Sequence, residues 1–227
     1  MPEPPTPADR DHSEGAGPIP AAPSGLGALA GRLRELIAAT VESEAPAEAI
    51  AAAIADVEAA IGHLRPHVPD PPPPRYPSGP GGTAPEEFFP FDFVLGPFNP
   101  IAAPIRVEWH APLAIGRVVF GTAYEGPPGC VHGGVIAASF DQVLNVANLM
   151  SGIAGPTRSL EIRYRKPTPL RREIVFEGRV ESVEGREVRT SGRILVDDVV
   201  TAEALGVFVQ IPIDRILRML DQRTSTE

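Results

Sequence analysis

Apolar residues recur at helical spacing early in the chain, at Leu26, Leu29, Leu33, Leu36 and Ile37, and again after Pro46 at Ile50, Ile54, Val57 and Ile61. Each run carries one narrow stripe. This predicts a helical hairpin over 25–68 that needs a partner surface to bury its apolar side. Pro46 suits the first turn of the second helix, where a missing N–H does no harm. From Arg106 the pattern changes to strands, at 106–110 and 117–124. A long apolar run over 134–150 then predicts a helix, closed by Ser151 and Gly152. Four strand-like runs follow, at 159–166, 173–184, 187–196 and 200–211, joined at 167–172, Gly185-Arg186 and Asp197-Asp198, all turn chemistry. A short amphipathic stretch at 213–220 predicts a last helical turn or two. One long central helix followed by an antiparallel meander predicts an α+β fold with the helix wrapped by the sheet.

The intervening segments have their own character. Residues 1–24 are Pro, Ala, Gly and acid without periodicity and read as a disordered tail. Residues 69–83, with Pro71-Pro72-Pro73-Pro74, read as a stiff extended linker and the main domain boundary. Five of the nine phenylalanines lie in 84–105, which reads as a Phe- and Pro-rich strap over the domain at 106–227, with one short strand at 92–95. Twenty of the 28 prolines fall in the first 100 residues. Residues 1–105 hold 5 Arg against 14 Asp or Glu, hence all of the formal charge of −9, while the remainder is balanced. Without a basic surplus the chain does not read as a nucleic-acid binder. No apolar run reaches membrane-spanning length. The single cysteine, Cys130, excludes an intramolecular disulfide, and a cytoplasmic protein is expected.

The chemistry concentrates in the long helix. Between Glu125 and Arg158 the only formally charged side chain is Asp141. Ile136, Phe140, Val143, Ala147 and Met150 share one face, which fits a core. Ala137, Ala138, Asp141, Asn145 and Asn148 share the other, small and polar around one acid. A lone carboxylate in such a helix costs several kcal/mol unless paired or wet. His132-Gly133-Gly134 opens the helix, and its unsatisfied N–H groups, with the helix dipole, favour a developing negative oxygen. Gly133 and Asp141 are eight residues apart, about 12 Å along the axis. They meet on one carbonyl only if two helices run antiparallel across a two-fold, so a catalytic pair here requires a dimer. The histidines are scattered without metal-ligand spacing. His63 and His67 read as solvated, and Cys130 as a small buried residue.

The run Cys130-Val131-His132-Gly133-Gly134-Val135-Ile136-Ala137-Ala138-Ser139-Phe140-Asp141 resembles the HGG-to-Asp signature of hotdog-fold acyl-CoA thioesterases of the PaaI-like group. The downstream run Thr157–Leu170, a strand entering a basic-Pro-x-Pro-Leu turn, is similar to the family's as well. The resemblance covers roughly 90–212. It implies a hotdog fold that hydrolyses an acyl-CoA to free acid and coenzyme A, with coenzyme A as part of the substrate and no other cofactor or metal. It implies Asp141 as general base or nucleophile, and the Gly133 N–H of the partner subunit as the group polarising the carbonyl. Thr157 would position the acid or water, and His132 would shape the loop. Gly134 lines the substrate, and Arg165 and Lys166, from a cationic cluster with Arg158, Arg163, Arg171 and Arg172, would meet coenzyme A phosphates. A homodimer or homotetramer is expected. Where some relatives carry an amide side chain six residues before the histidine, this chain has Gly126. Three alternatives remain: a hotdog that binds acyl-CoA without turnover, a hotdog acting in a hydration step, and a dimerisation module whose N-terminal hairpin recruits a partner.

Overall fold

The computed structural model describes residues 24–72, 85–103, 105–153 and 155–211. The tail up to residue 23, most of the linker and the stretch at 213–220 lie outside them. In chain order the elements are α1 (Leu26–Glu42), α2 (Ala47–Leu64), a single turn α3 (Pro85–Phe88), β1 (Arg106–His110), β2 (Leu113–Val119), α4 (Gly133–Met150), β3 (Thr157–Tyr164), β4 (Glu173–Glu184), β5 (Glu187–Val196) and β6 (Val199–Val209). The six strands form one antiparallel sheet in the order β1-β2-β4-β5-β6-β3. α4 packs against all six strands, which is the α+β arrangement the sequence predicts.

Glycines make this packing possible. Gly116 on β2, Gly178 on β4, Gly192 on β5 and Gly206 on β6 all turn their missing side chains toward α4. A Cβ at Gly178, Gly192 or Gly206 would lie 3.1 Å from a Leu144 methyl, and one at Gly116 would lie 3.2 Å from Val143. The helix therefore sits against backbone, and its larger side chains fill the layer between: Phe140, Val143, Leu144 and Ala147 are fully buried with Phe120, Phe176, Ile174 and Ile194. Phe140 meets Phe176 edge-on at 5.5 Å and 81°, a favoured aromatic geometry. Asp197 and Asp198, both at positive φ, form the two-residue turn between the paired Val196 and Val199, as the twist of a tight hairpin requires.

The structure departs from the sequence reading in several places. β2 starts at Leu113, because the pairing of His110 with Leu113 closes a tight hairpin there. It stops at Val119, and Thr122–Tyr124 forms a 3-10 turn in place of the end of a strand. No strand forms at 92–95. Asp92 Oδ1 instead accepts from the N–H groups of Val94 and Leu95, both at 2.8 Å, a local side-chain turn that competes with extended structure. Nor does the strap merely lie on a finished domain, since Phe88, Phe89, Val94, Leu95, Ala103 and Ile105 belong to the same buried cluster as α4.

The two N-terminal helices form, but of the two only α1 finds a surface that buries any of its residues. The connection runs extended through Ser43 and Pro46 (ψ 137° and 158°). α1 finds its partner surface on its own domain: Ala30 is buried, and the helix packs on the Thr122–Tyr124 turn. α2 has no buried residue, and Ile50, Ile54, Val57, Ile61 and Leu64 are all exposed.

Candidate active site

The loop before α4 is built to present the helix start. The Gly126 N–H donates to the Cys130 carbonyl at 2.9 Å, the Cys130 N–H to Pro127 at 2.8 Å, and the Gly129 N–H to Glu125 Oε1 at 2.6 Å. Gly129 sits at φ 73°, in the region that favours glycine. A Cβ at Gly126 would fall 2.7 Å from the His132 Cα. Any side chain at Gly126 would have to displace that backbone.

His132 is the N-cap of α4. Its Nδ1 accepts from the Gly134 N–H at 2.9 Å, and its carbonyl accepts from Val135 and Ile136 at 3.0 and 3.2 Å. Of the four N–H groups at 132–135 that lack an i−4 partner, that of His132 donates to the Tyr124 carbonyl and those of Gly134 and Val135 to His132. Among the described residues the Gly133 N–H has no acceptor. An unsatisfied donor at a helix N-terminus is a site for negative charge. Beside it, the Tyr164 hydroxyl donates to the Gly133 carbonyl at 2.8 Å, which ties the first turn of α4 to the end of β3.

Two turns further along α4, Thr157 Oγ1 donates to Asp141 Oδ1 at 2.7 Å. A bulge in β3 makes this contact. Leu160, Ile162 and Tyr164 are paired through Tyr164↔Ala202, and regular pairing from Ser159↔Val207 would set Arg158 opposite Phe208, but the register shifts so that Thr157 takes that place. Phe208 is buried beneath α4, so the bulge turns a hydroxyl, rather than a guanidinium, toward the acid. Asp141 is half-buried and Thr157 exposed. With Oδ1 held, Oδ2 has no hydrogen bond among the described residues.

The polar stripe of α4 differs from the sequence reading at one position. Ala137, Ala138, Asp141 and Asn145 are half-buried, but Asn148 is 1% exposed, with neither amide atom bonded to protein. Arg165 is also placed elsewhere. Its Nε pairs with Glu203 at 2.6 Å in an open cleft of about 450 Å³ on the sheet. There Glu177, Arg193, Glu203 and Arg163 stand opposite one another on β4, β5, β6 and β3, in alternating charge. Arg172 pairs with Asp197, Arg158 with Glu187 and Arg171 with Glu42. The expected cationic cluster is thus dispersed into separate ion pairs. Lys166 is exposed, its N–H on the Thr201 carbonyl. Two residues that matter here escaped the sequence reading. Tyr164 continues the inward alternation of Leu160 and Ile162, a visible signal; Arg34, discussed below, had none.

Two groups near the site have displaced titration. Burial pushes the Tyr124 phenol up, against a smaller opposing effect of Arg34. The Thr122 hydroxyl and then the Arg171 guanidinium hold the Glu42 carboxyl below its ordinary range.

A long helix enclosed by an antiparallel sheet, with an open N–H at its start and a hydroxyl-bonded acid two turns along, defines a class, and comparison with known proteins agrees. The sequence model of the thioesterase superfamily matches residues 128–203. A crystal structure of a thioesterase superfamily protein is 31% identical, with a TM-score of 0.73, covering 85% of this chain and 97% of that one. The chain belongs to the thioesterase superfamily and has its hotdog fold. It is similar to acyl-coenzyme A thioesterase THEM4 of Xenopus laevis, 33% identical over 93 residues, and to acyl-coenzyme A thioesterase THEM5 of Homo sapiens, 29% identical over 96. These matches take in 40% and 41% of this chain and 42% and 39% of those proteins. The chain therefore spans about two fifths of the curated relatives it matches.

Proposed function

We propose that this protein is an acyl-CoA thioesterase acting as a dimer, with Asp141 of one protomer and the Gly133 N–H of the other meeting at the thioester carbonyl. The observation that carries the reading is the pairing of a free first-turn N–H on Gly133 with an Asp141 whose one oxygen is fixed by Thr157. The two lie about 12 Å apart along α4, too far to serve one carbonyl within a chain. β3 is an edge of the sheet, and an edge strand presents unpaired backbone groups to a second copy. Its inward residues Leu160, Ile162 and Tyr164 remain partly uncovered or exposed. Two chains joined through β3 bring their α4 helices side by side and antiparallel, and this supplies the missing half of each site.

The chemistry follows from these groups. The Gly133 N–H polarises the carbonyl and holds the oxyanion as it forms. Asp141 takes the proton of a water that adds to the carbonyl carbon, or adds there itself through Oδ2 with water releasing the resulting anhydride; both routes need the carboxylate ionised and within reach. The C–S bond then breaks, the thiolate takes up a proton, and free acid and coenzyme A leave. Thr157 fixes the carboxylate rotamer. His132, through its capping bond, holds Gly134 and the first turn in place. Hydrolysis of a thioester needs no redox group, and coenzyme A enters only as part of the substrate. Lys166 is exposed and available to its phosphates; Arg165 is committed to Glu203 and is not assigned to them. Among the described residues no helix is long and apolar enough to cross a membrane, and a cytoplasmic location fits the lone cysteine. The test is Asp141→Ala: release of free thiol from acyl-CoA is expected to vanish while circular dichroism stays that of the wild type. Full turnover by this variant would refute the assignment.

A further inference from the structure

The segment before the family domain forms one wall of a groove over the start of α4. Phe93, Val94 and Ile101 from the strap, Tyr124 from the 3-10 turn, and Val135 and Ala138 from α4 line a groove of about 250 Å³ that stays open to solvent. The groove extends along α4 from His132 and Gly134 to Ser139, so it opens beside the free Gly133 N–H. The Ser139 hydroxyl is already spent on the Val135 carbonyl at 2.8 Å. The walls are thus almost wholly apolar, in contrast to the Arg- and Glu-lined cleft on the sheet. A thioester carbonyl at Gly133 has two substituents. Coenzyme A, with its phosphates, belongs toward open solvent, and the apolar acyl group fits this groove.

The strap wall of the groove is held by α1. Arg34 reaches across to the strap: Nε donates to the Ala102 carbonyl at 3.1 Å, and Nη2 to those of Pro97, Asn99 and Gly96 at 2.9, 3.2 and 3.5 Å. One planar guanidinium thereby gathers four carbonyls of the loop that carries Ile101. The far end of α1 is fixed as well. Glu42 accepts from Thr122 at 2.6 Å and from Arg171 at 3.1 Å, and Thr122 starts the turn that carries Tyr124.

We propose that this groove receives the acyl group and that α1, by holding the strap through Arg34, sets the chain length it prefers. The proposal rests on the thioesterase reading above and deepens it by naming the substrate class. A cavity of about 150 Å³ takes up benzene. The present volume therefore suits an aryl acyl group on a short arm, or an alkyl chain of about eight carbons, and a longer chain would run past Phe93 and Ile101 into solvent. Selectivity would lie in residues outside 128–203, the stretch matched by the family model.

The experiment is thiol release by the full chain across saturated acyl-CoAs from four to sixteen carbons, with phenylacetyl-CoA added. Phe93 and Ile101 are 57% and 61% exposed, so their truncation leaves the core intact. Wild type is expected to prefer chains of about eight carbons or fewer. Phe93→Ala and Ile101→Ala should each raise the dodecanoyl-to-hexanoyl ratio of kcat/KM about tenfold or more. Arg34→Gln should move the ratio the same way, with Arg34→Lys recovering only part, since a point charge cannot bridge four carbonyls. An unchanged ratio in the two wall variants would overturn the proposal while leaving the thioesterase reading intact. An Arg34→Gln loss equal at every chain length would show a merely structural residue and overturn the role given to α1. Wild type cleaving no acyl-CoA would remove the reading and the proposal together.

Discussion

Thr157 is one residue away from the wrong chemistry. If β3 ran without its bulge, Arg158 would stand opposite Phe208 and a guanidinium would approach Asp141. The bulged register leaves the acid with one hydroxyl bond and one open oxygen. Thr157→Ala should therefore lower kcat by about tenfold or more while leaving some activity, and Thr157→Ser should restore most of it; steady-state kinetics check both. The donor can be tested through the backbone itself. Gly133 is the first helical position, where proline is tolerated, and His132 at φ −61° and ψ 134° already has the extended conformation a following proline demands. Gly133→Pro deletes one N–H and should cost about 10²–10³ in kcat without unfolding the protein. Gly133→Ala, whose Cβ meets Tyr164 alone, the hydroxyl at 3.3 Å and the ring from 3.5 Å, should retain far more. Asp141 was legible in the sequence because it is the one charge in a long apolar stretch, and His132 and Gly133 because they open that stretch. Thr157 was legible only through family resemblance, since its approach to Asp141 depends on a bulge that no local pattern announces.

Among the elements, α4 owes its place to the glycines beneath it. Gly192 is the most constrained of these against backbone: a Cβ there would lie 2.8 Å from the Glu177 carbonyl and 3.1 Å from Leu144. Gly192→Ala is expected to lower unfolding stability by about 1–3 kcal/mol in a denaturant titration, since overpacking forces neighbours off their positions. An unchanged midpoint would contradict the close seating of α4. The strands from β4 onward and α4 itself were readable from alternation and turn residues. The strap was not, because its burial depends on Phe88, Val94 and Ile105 meeting residues far away in sequence. The fate of the N-terminal helices was equally hidden. Both carry apolar stripes, but α1 is docked by Arg34 on carbonyls more than 60 residues distant, whereas α2 buries nothing.

At the scale of the whole molecule, the proposed site has its two halves on one chain about 12 Å apart along α4, too far to meet there. The sequence already implied this from the spacing of Gly133 and Asp141, and the fold adds an edge strand, β3, carrying Thr157 at one end and Tyr164, on the Gly133 carbonyl, at the other. The most direct test is complementation between two inactive chains, Asp141→Ala and Gly133→Pro, each inactive alone, mixed through reversible dissociation or co-expression. A mixed dimer holds one site built from the intact Gly133 of the first and the intact Asp141 of the second. Random pairing makes half of the dimers mixed, with one working site of two, so thiol release should return to about a quarter of the wild-type rate. A mixture no more active than its two components, once mixed dimers are shown to form, would contradict the shared site.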